Sequence, residues 1–146
     1  MGERPDVLAR RWFQEVWDNG DETAIDRLMH PEALVHGLGA TPIRGPEQFK
    51  PFFRVFNRAL GDLQIEIPHT VVQGDTCAVH CHVLARHVGS DLGGPATGAL
   101  VDFWGITILR ANDQGQIVEG WNCFDFLTMY QQIGWVANPV LPGQSR

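Results

Sequence analysis

Apolar residues recur at helical spacing in the first third of the chain and at alternating spacing in the rest. In residues 6–19 they form a stripe along one side of a predicted helix, and Gly20 can adopt the left-handed conformation that ends it. Asp21 can then cap a short second helix through Met29. A proline two positions after Met29 favours ending this helix there, because a residue before proline disfavours the helical conformation.

A third helix is predicted to begin at Gly45 and to be closed by Gly61. Pro46 fits its first turn, where the N–H that proline lacks would have no partner. Pro51 lies deeper in the same segment, and we expect it to kink the helix or to delay its start. A short strand over residues 33–36 and a glycine-rich loop precede this helix.

After the third helix the hydrophobic period changes to two, which is typical of half-buried strands. Short turns at 74–75 and 112–115 predict that the strands flanking each turn pair antiparallel. Residues 89–98 form a glycine-rich loop, and the segment after residue 124 favours a last short helix through Ile133. Helices followed by a curved antiparallel sheet indicate an α+β fold. The four predicted strands are 63–73, 76–88, 99–111 and 116–124.

Length and composition limit the kinds of protein this chain can be. Its 146 residues, 44% of them hydrophobic and 19% charged, predict a single domain over 1–146. The net charge of −6 repels phosphate and anionic lipid, so we expect neither nucleic-acid nor membrane binding. No apolar run reaches the roughly 20 residues that cross a bilayer, and the N-terminus does not resemble a secretory signal. A cytoplasmic location is therefore expected.

Cysteine and histidine spacing gives no indication of a metal site. The three cysteines form no CxxC pair, so neither a disulfide framework nor a zinc knuckle is predicted. His80 and His82 would share one face of a strand, but no third ligand accompanies them at a suitable spacing. We expect these two histidines on the outer face of the sheet.

Several short motifs, taken together in order, resemble the SnoaL-like polyketide cyclase family. They are residues 17–21 (WDNGD), 45–49 (GPEQF), 86–89 (RHVG), 115–121 (GQIVEGW) and 132–134 (QIG). The resemblance covers residues 8–135 and leaves 136–146 as an extended tail. It implies the fold shared with ketosteroid isomerases and limonene-epoxide hydrolases: a cone-shaped barrel of bent antiparallel sheet wrapped around three N-terminal helices, enclosing an apolar cavity.

The resemblance also locates candidate catalytic positions. SnoaL-like cyclases act as cofactor-free acid–base enzymes, and their catalytic Asp and His fall on Asn122 and Thr107 of this chain. Asn122 cannot accept a proton near neutral pH, but its amide can donate a hydrogen bond to a developing oxyanion. His36 falls on the catalytic Asp of ketosteroid isomerases, and an imidazole there could accept a proton at neutral pH. Equally, His36 could simply bond to loop backbone at a strand end.

Two further residues are candidates for catalysis, each with a plain structural alternative. His87 shares strand parity with the small apolar residues of its strand, so it is expected inside the cavity as an acid or a substrate contact. It could instead be a buried histidine bonded to a loop carbonyl. Asp125 could act as a base, but its position before an apolar helical run favours capping the last helix.

The expected cavity wall is largely aromatic, and the predicted binding contacts follow from helical or alternating spacing. Trp104 lies on the strand face opposite Phe103 and Thr107, so it is expected to face outward, where it would mark a dimer surface. The predicted substrate-binding residues are Trp17, Phe53, Cys81, Phe103, Thr107 and Phe124.

Two functions remain open from the sequence. The first is a cofactor-independent acid–base enzyme that acts on a small apolar metabolite next to a carbonyl, by isomerisation, cyclisation or hydrolysis. The second is a non-catalytic small-molecule binding protein with the same cavity. Both interpretations predict a homodimer, no cofactor and no metal.

Overall fold

The computed structural model describes residues 4–137, so most of the predicted tail, residues 138–146, lies outside the described residues. Its helices are α1 (Pro5–Arg11), which continues as a π-helix (Trp12–Asp18), then α2 (Thr23–Leu28), α3 (Gly45–Ala59) and α4 (Phe126–Gln132). Its strands are β1 (Met29–His36), β2 (Ile43–Arg44), β3 (Leu60–Gln73), β4 (Thr76–His87), β5 (Leu100–Ala111) and β6 (Ile117–Phe124).

The helices lie where the hydrophobic stripes predict them, with differences at their ends. The second half of the first helix is π-helical, a departure that side-chain spacing does not reveal. Pro51 lies inside α3, which begins at Gly45 all the same, so of the two effects expected of this proline the delayed start does not occur. Strand β3 follows α3 directly from Leu60, and Gly61 is therefore part of the strand rather than a closing loop.

Within residues 4–137 the strands form one six-stranded sheet in the order β2-β1-β6-β5-β4-β3. Neighbouring strands from β3 to β6 pair antiparallel. The short turns predict this pairing for β3 with β4 and for β5 with β6, whereas β4 and β5 are joined by the longer glycine-rich loop. Strand β1, by contrast, runs parallel to β6, with His36 opposite Trp121. This pairing joins segments far apart in the chain, and it places the end of β1 beside the centre of β6.

Strict alternation separates an inner from an outer sheet face. Every second residue of β4 and β5 is buried against the helices, and the residues between them face outward. The helices cover the inner face, and the buried apolar side chains form two clusters, one beneath α1 and α3 and the other beneath α4. The result is the predicted α+β cone: a curled sheet around helices. No helix within residues 4–137 is long and apolar enough to cross a membrane.

Gly105 is the inner-face position of β5 at which a side chain cannot be accommodated. A Cβ atom there would lie 2.1 Å from Cδ1 of Phe124, whose ring covers the glycine. We therefore expect Gly105→Ala to displace this ring and to lower the free energy of unfolding by about 1–3 kcal/mol, the usual cost of overpacking. Urea unfolding monitored by circular dichroism measures this loss.

Gly120→Ala is the matched control, because Gly120 also lies on the inner face and its added Cβ would meet no atom closer than 3.8 Å. Equal losses in the two variants would show that general glycine replacement, and not contact with Phe124, determines the effect.

Candidate functional site

An apolar cavity lies between the inner sheet face and the helices. The helical side contributes mainly aromatic rings: Trp12, Phe13, Trp17, Phe49, Phe52, Phe56 and Phe126. The cavity has about 90 Å³ in which the centre of a water molecule can lie, and about 790 Å³ of atom-free space when its open mouth is included. The smaller value, which leaves out open solvent, lies below the roughly 300–1,000 Å³ typical of small-molecule pockets.

The sheet contributes two polar side chains to this cavity, Thr107 of β5 and Asn122 of β6. These residues are direct cross-strand partners. The Thr107 hydroxyl donates to the Asn122 side-chain carbonyl oxygen at 2.7 Å, and the Asn122 amide donates to the backbone oxygen of His36 at 3.0 Å. One amide N–H of Asn122 and the lone pairs of Thr107 are left for a ligand.

No residue lining the described part of this cavity carries a titratable side chain. The described chain also contains no group of three or more His, Cys, Asp or Glu side chains that could hold a metal ion. The arrangement is therefore suited to enclosing an apolar molecule and to bonding one of its oxygens. The described lining of the cavity provides no side chain that could act as an acid or a base on such a molecule.

His36 does not face the cavity, and the expectation that it does so was wrong. Val35, one residue earlier, lines the cavity, so the pleat of β1 turns His36 to the outer face. There its Nε2 lies 2.9 Å from a carboxylate oxygen of Glu119, and its ring stacks on Trp121 at 5.6 Å. Hydrogen bonds from His36 and Arg110 hold the pKa of Glu119 below its ordinary value.

His87 has the inward parity that its strand predicts, but it is buried beneath the loop after β4 and does not line the cavity. Its Nδ1 accepts from the backbone N–H of Thr97 at 3.2 Å and lies 3.0 Å from the Thr97 hydroxyl. Its Nε2 has no partner within residues 4–137, and the ring packs edge-on against Trp135. These contacts resemble the structural alternative for His87, with Thr97 in place of a loop carbonyl.

Asp125 caps α4 and does not line the cavity. It accepts from the Thr128 hydroxyl at 2.6 Å and from the Thr128 backbone N–H at 3.0 Å. These two hydrogen bonds hold the pKa of Asp125 below its ordinary value. A carboxylate engaged in this way stabilises the helix start and is poorly placed to act as a base.

Four of the six predicted binding residues line the cavity: Trp17, Phe103, Thr107 and Phe124. The other two do not, and placing them there was wrong. Phe53 is buried in the core against Trp17, with ring centroids 5.3 Å apart. Cys81 is fully buried in the same core cluster, and burial raises the pKa of its thiol to about 12.

Sequence reasoning missed part of the cavity wall, notably Leu38, Phe52 and Phe126. Phe52 and Phe53 are adjacent in α3, so spacing alone marks both as apolar and cannot say which ring faces the cavity. Glu119 was also missed, although its parity with Trp121 on β6 could have placed it on the outer face.

The fold and cavity define a class of cone-shaped α+β proteins with an internal apolar pocket. A family model for SnoaL-like polyketide cyclases matches residues 7–133, and the chain belongs to this family. No curated protein matches it by sequence.

Solved structures with the same fold cover nearly the whole chain. TsrD from Streptomyces laurentii is 26% identical with a TM-score of 0.77, and the match covers 90% of this chain and 95% of TsrD. IdmH from Streptomyces antibioticus, a provisionally assigned polyketide cyclase, is 26% identical with a TM-score of 0.78, covering 90% and 99% of the two chains. A protein with a ketosteroid isomerase-like fold from Catenulispora acidiphila, 16% identical over 94% of this chain and 100% of its own, has a TM-score of 0.73 and is similar in fold alone.

The hydrogen bond between Thr107 and Asn122 can be tested through stability. Thr107→Val removes the hydroxyl and leaves the half-buried Asn122 oxygen without its donor, so we expect a loss of about 1–3 kcal/mol in the free energy of unfolding. Thr107→Ser keeps the hydroxyl and serves as the control. If the serine variant loses as much as the valine variant, methyl packing rather than the hydrogen bond stabilises this site.

Proposed function

We propose that this SnoaL-like protein binds an apolar, ring-containing carbonyl compound in its cavity without proton transfer by its own side chains. The observation that carries this proposal is the lining itself: aromatic rings surround a single polar pair, Thr107 and Asn122, and no titratable group is among them. His36, Asp125 and His87, which the acid–base interpretation required, bond elsewhere.

The chemistry of the lining supports a particular kind of ligand. Aromatic side chains favour flat ring systems, which they contact by offset or edge-to-face packing. The free N–H of Asn122 favours a carbonyl or enol oxygen on such a ligand, since an amide N–H left without a partner in an apolar cavity costs free energy. Membership of the polyketide cyclase family supports an oxygenated, ring-forming compound.

The binding of 9-fluorenone and of fluorene, which lacks the carbonyl, tests this proposal. Trp12 and Trp17 line the cavity, so quenching of tryptophan fluorescence reports occupancy. Asn122→Leu should weaken 9-fluorenone binding about 5-fold, the loss of one hydrogen bond, and leave fluorene binding unchanged. Binding to the wild type should not vary between about pH 6 and pH 8, because the lining does not titrate there.

His36→Gln is the matched control, since it alters a candidate histidine on the opposite sheet face. It should change neither affinity. No binding of either probe, or a loss of 9-fluorenone binding in His36→Gln equal to that in Asn122→Leu, would contradict the proposal.

A second candidate function, ring closure of a reactive polyketone, is favoured by the family and by the Asn122 N–H. In this function the cavity holds the chain folded with an enol carbon of the ligand close to one of its carbonyl carbons. The new carbon–carbon bond forms as the carbonyl π bond breaks, and Asn122 donates to the oxygen that gains charge. Water takes up the enol proton and returns a proton to the alkoxide. Turnover that is lost in Asn122→Leu and retained in His36→Gln would support ring closure. A bell-shaped pH profile lost in His36→Gln would instead establish the acid–base enzyme.

We also propose that the protein forms a homodimer through the outer sheet face. Trp104, Ile106 and Ile108 alternate along β5 and are 41%, 48% and 40% exposed, and Trp121 of β6 lies beside Ile108. Two of the acidic side chains around this patch already have partners within the chain, Asp102 with His82 and Glu119 with Arg110. A second copy presents the same patch and can meet it about a two-fold axis.

Sedimentation velocity of Ile106→Glu tests the dimer. We expect the wild type to sediment as a dimer at micromolar concentration and the variant as a monomer, because a carboxylate at the centre of an apolar interface is costly to bury. Leu127→Glu is the control, since Leu127 is exposed on α4, away from the outer face. A monomeric wild type would contradict the proposal, and circular dichroism verifies that both variants fold.

A further inference from the structure

Two glycines lie on the inner sheet face, one on each side of the polar pair, and their surroundings differ. Gly105 of β5 is the cross-strand partner of Phe124, whose ring covers it. Gly120 of β6 lines the cavity, and the nearest atom to an added Cβ there would be the backbone oxygen of Ile108, at 3.8 Å. Packing therefore explains the missing side chain at Gly105, whereas no contact within residues 4–137 explains it at Gly120.

The backbone conformation does not require a glycine at position 120 either. Its φ lies outside the left-handed region, and it pairs in regular register with Leu109 of β5 and Val35 of β1. The irregularity in the pairing of β6 with β5 falls at Val118, not at Gly120. Glycine weakens the interior of a strand, because it loses much conformational freedom and has no side chain to pack. A glycine kept at such a position commonly marks a place where a ligand approaches the backbone closely.

Gly120 forms the floor of a trough whose sides are Val35 and Leu109, its partners on the neighbouring strands. Both of these side chains line the cavity. Asn122 lies two residues farther along β6 on the same face, so its Cα is about 6.6 Å from that of Gly120. The rings of a ligand whose carbonyl oxygen accepts from Asn122 can therefore reach Gly120. On the other side of Asn122, the ring of Phe124 already occupies the corresponding space over the sheet.

We propose that Gly120 is a specificity-determining residue: a flat ring of the ligand lies on its backbone while the oxygen of the ligand bonds to Asn122. The proposal rests on the proposed function and adds the orientation of the ligand, which extends from Asn122 toward Gly120 and away from Phe124. A bare backbone admits a flat ring at this place, whereas a larger side chain would occupy the space that the ring needs.

Enlarging the side chain at position 120 tests the proposal. Gly120→Ala should weaken the binding of both 9-fluorenone and fluorene about 10-fold, and Gly120→Val should weaken it further, because the added methyl groups and the ring compete for one space. The loss for both probes distinguishes this effect from that of Asn122→Leu, which is expected to affect 9-fluorenone alone. Quenching of tryptophan fluorescence measures the affinities.

Val83→Ile is the matched control, because it adds one carbon atom to the cavity lining, as Gly120→Ala does. Val83 lies on β4, two strands away from Gly120. Both affinities of this variant should stay within about 3-fold of the wild type. Urea unfolding shows whether each variant folds. A loss of stability in Gly120→Ala as large as that in Gly105→Ala would show that the fold itself requires the glycine, and it would overturn the proposal.

Nuclear Overhauser effects locate the bound ring without any substitution. In the wild-type protein labelled with ¹³C and saturated with fluorene, the aromatic protons of the probe should show effects to the Hα atoms of Gly120. They should show none to the Hα atoms of Gly105, which the ring of Phe124 covers.

The outcomes separate this inference from the function on which it rests. Failure of both probes to bind the wild type would overturn the proposed function and the inference with it. Binding of both probes to Gly120→Val with wild-type affinity would overturn the inference alone, and so would a bound probe that shows no Overhauser effect to Gly120.

Discussion

The pleat of three neighbouring strands determines which polar side chains reach the cavity. Successive residues of β1, β5 and β6 point to opposite faces, so each functional side chain is either inside the cone or outside it. Val35, Thr107 and Asn122 point inward, whereas His36 and Trp121 point outward. A shift of one residue in β1 would exchange Val35 for His36 and place an imidazole in the cavity. Whether an imidazole lines the cavity, as an acid–base mechanism through His36 would require, therefore depends on the register of β1 against β6.

The substituted pair Thr107 and Asn122 forms a consistent unit within this frame. Where related cyclases carry a histidine and an aspartate, this chain has a hydroxyl and an amide that satisfy each other at 2.7 Å. The Asn122 amide also donates to the backbone oxygen of His36, and this hydrogen bond links the end of β1 to β6. A pair of this kind stabilises three strands and presents a donor to the cavity without a group that titrates near neutral pH.

Local patterns predicted most of the fold, and non-local pairing explains what they missed. The strands β3 to β6 begin and end within about three residues of the predicted positions because alternation and short turns are encoded in adjacent residues. The parallel pairing of β1 with β6 joins segments more than 80 residues apart, and no local pattern reports it. The pairing of β1 with β6 sets the sheet face to which His36 points. The family resemblance therefore placed His36 at the correct strand end but could not show on which face its side chain lies. For Phe52 and Phe53, which are adjacent in α3, a small rotation of the helix decides which of the two rings lines the cavity. Spacing along the chain does not report that rotation.

The lining of the cavity favours a ligand with an apolar body and one oxygen that can bond to the Thr107–Asn122 pair. Inside, the aromatic wall has a single polar pair, so charged or heavily hydroxylated molecules would lose hydration there without replacement contacts. In the proposed function, burial of rings in the cavity supplies affinity, while the Asn122 amide orients the ligand through its oxygen. Under the second candidate function, rings held by the aromatic wall and an oxygen held by Asn122 leave the ligand few conformations, and that restriction favours ring closure.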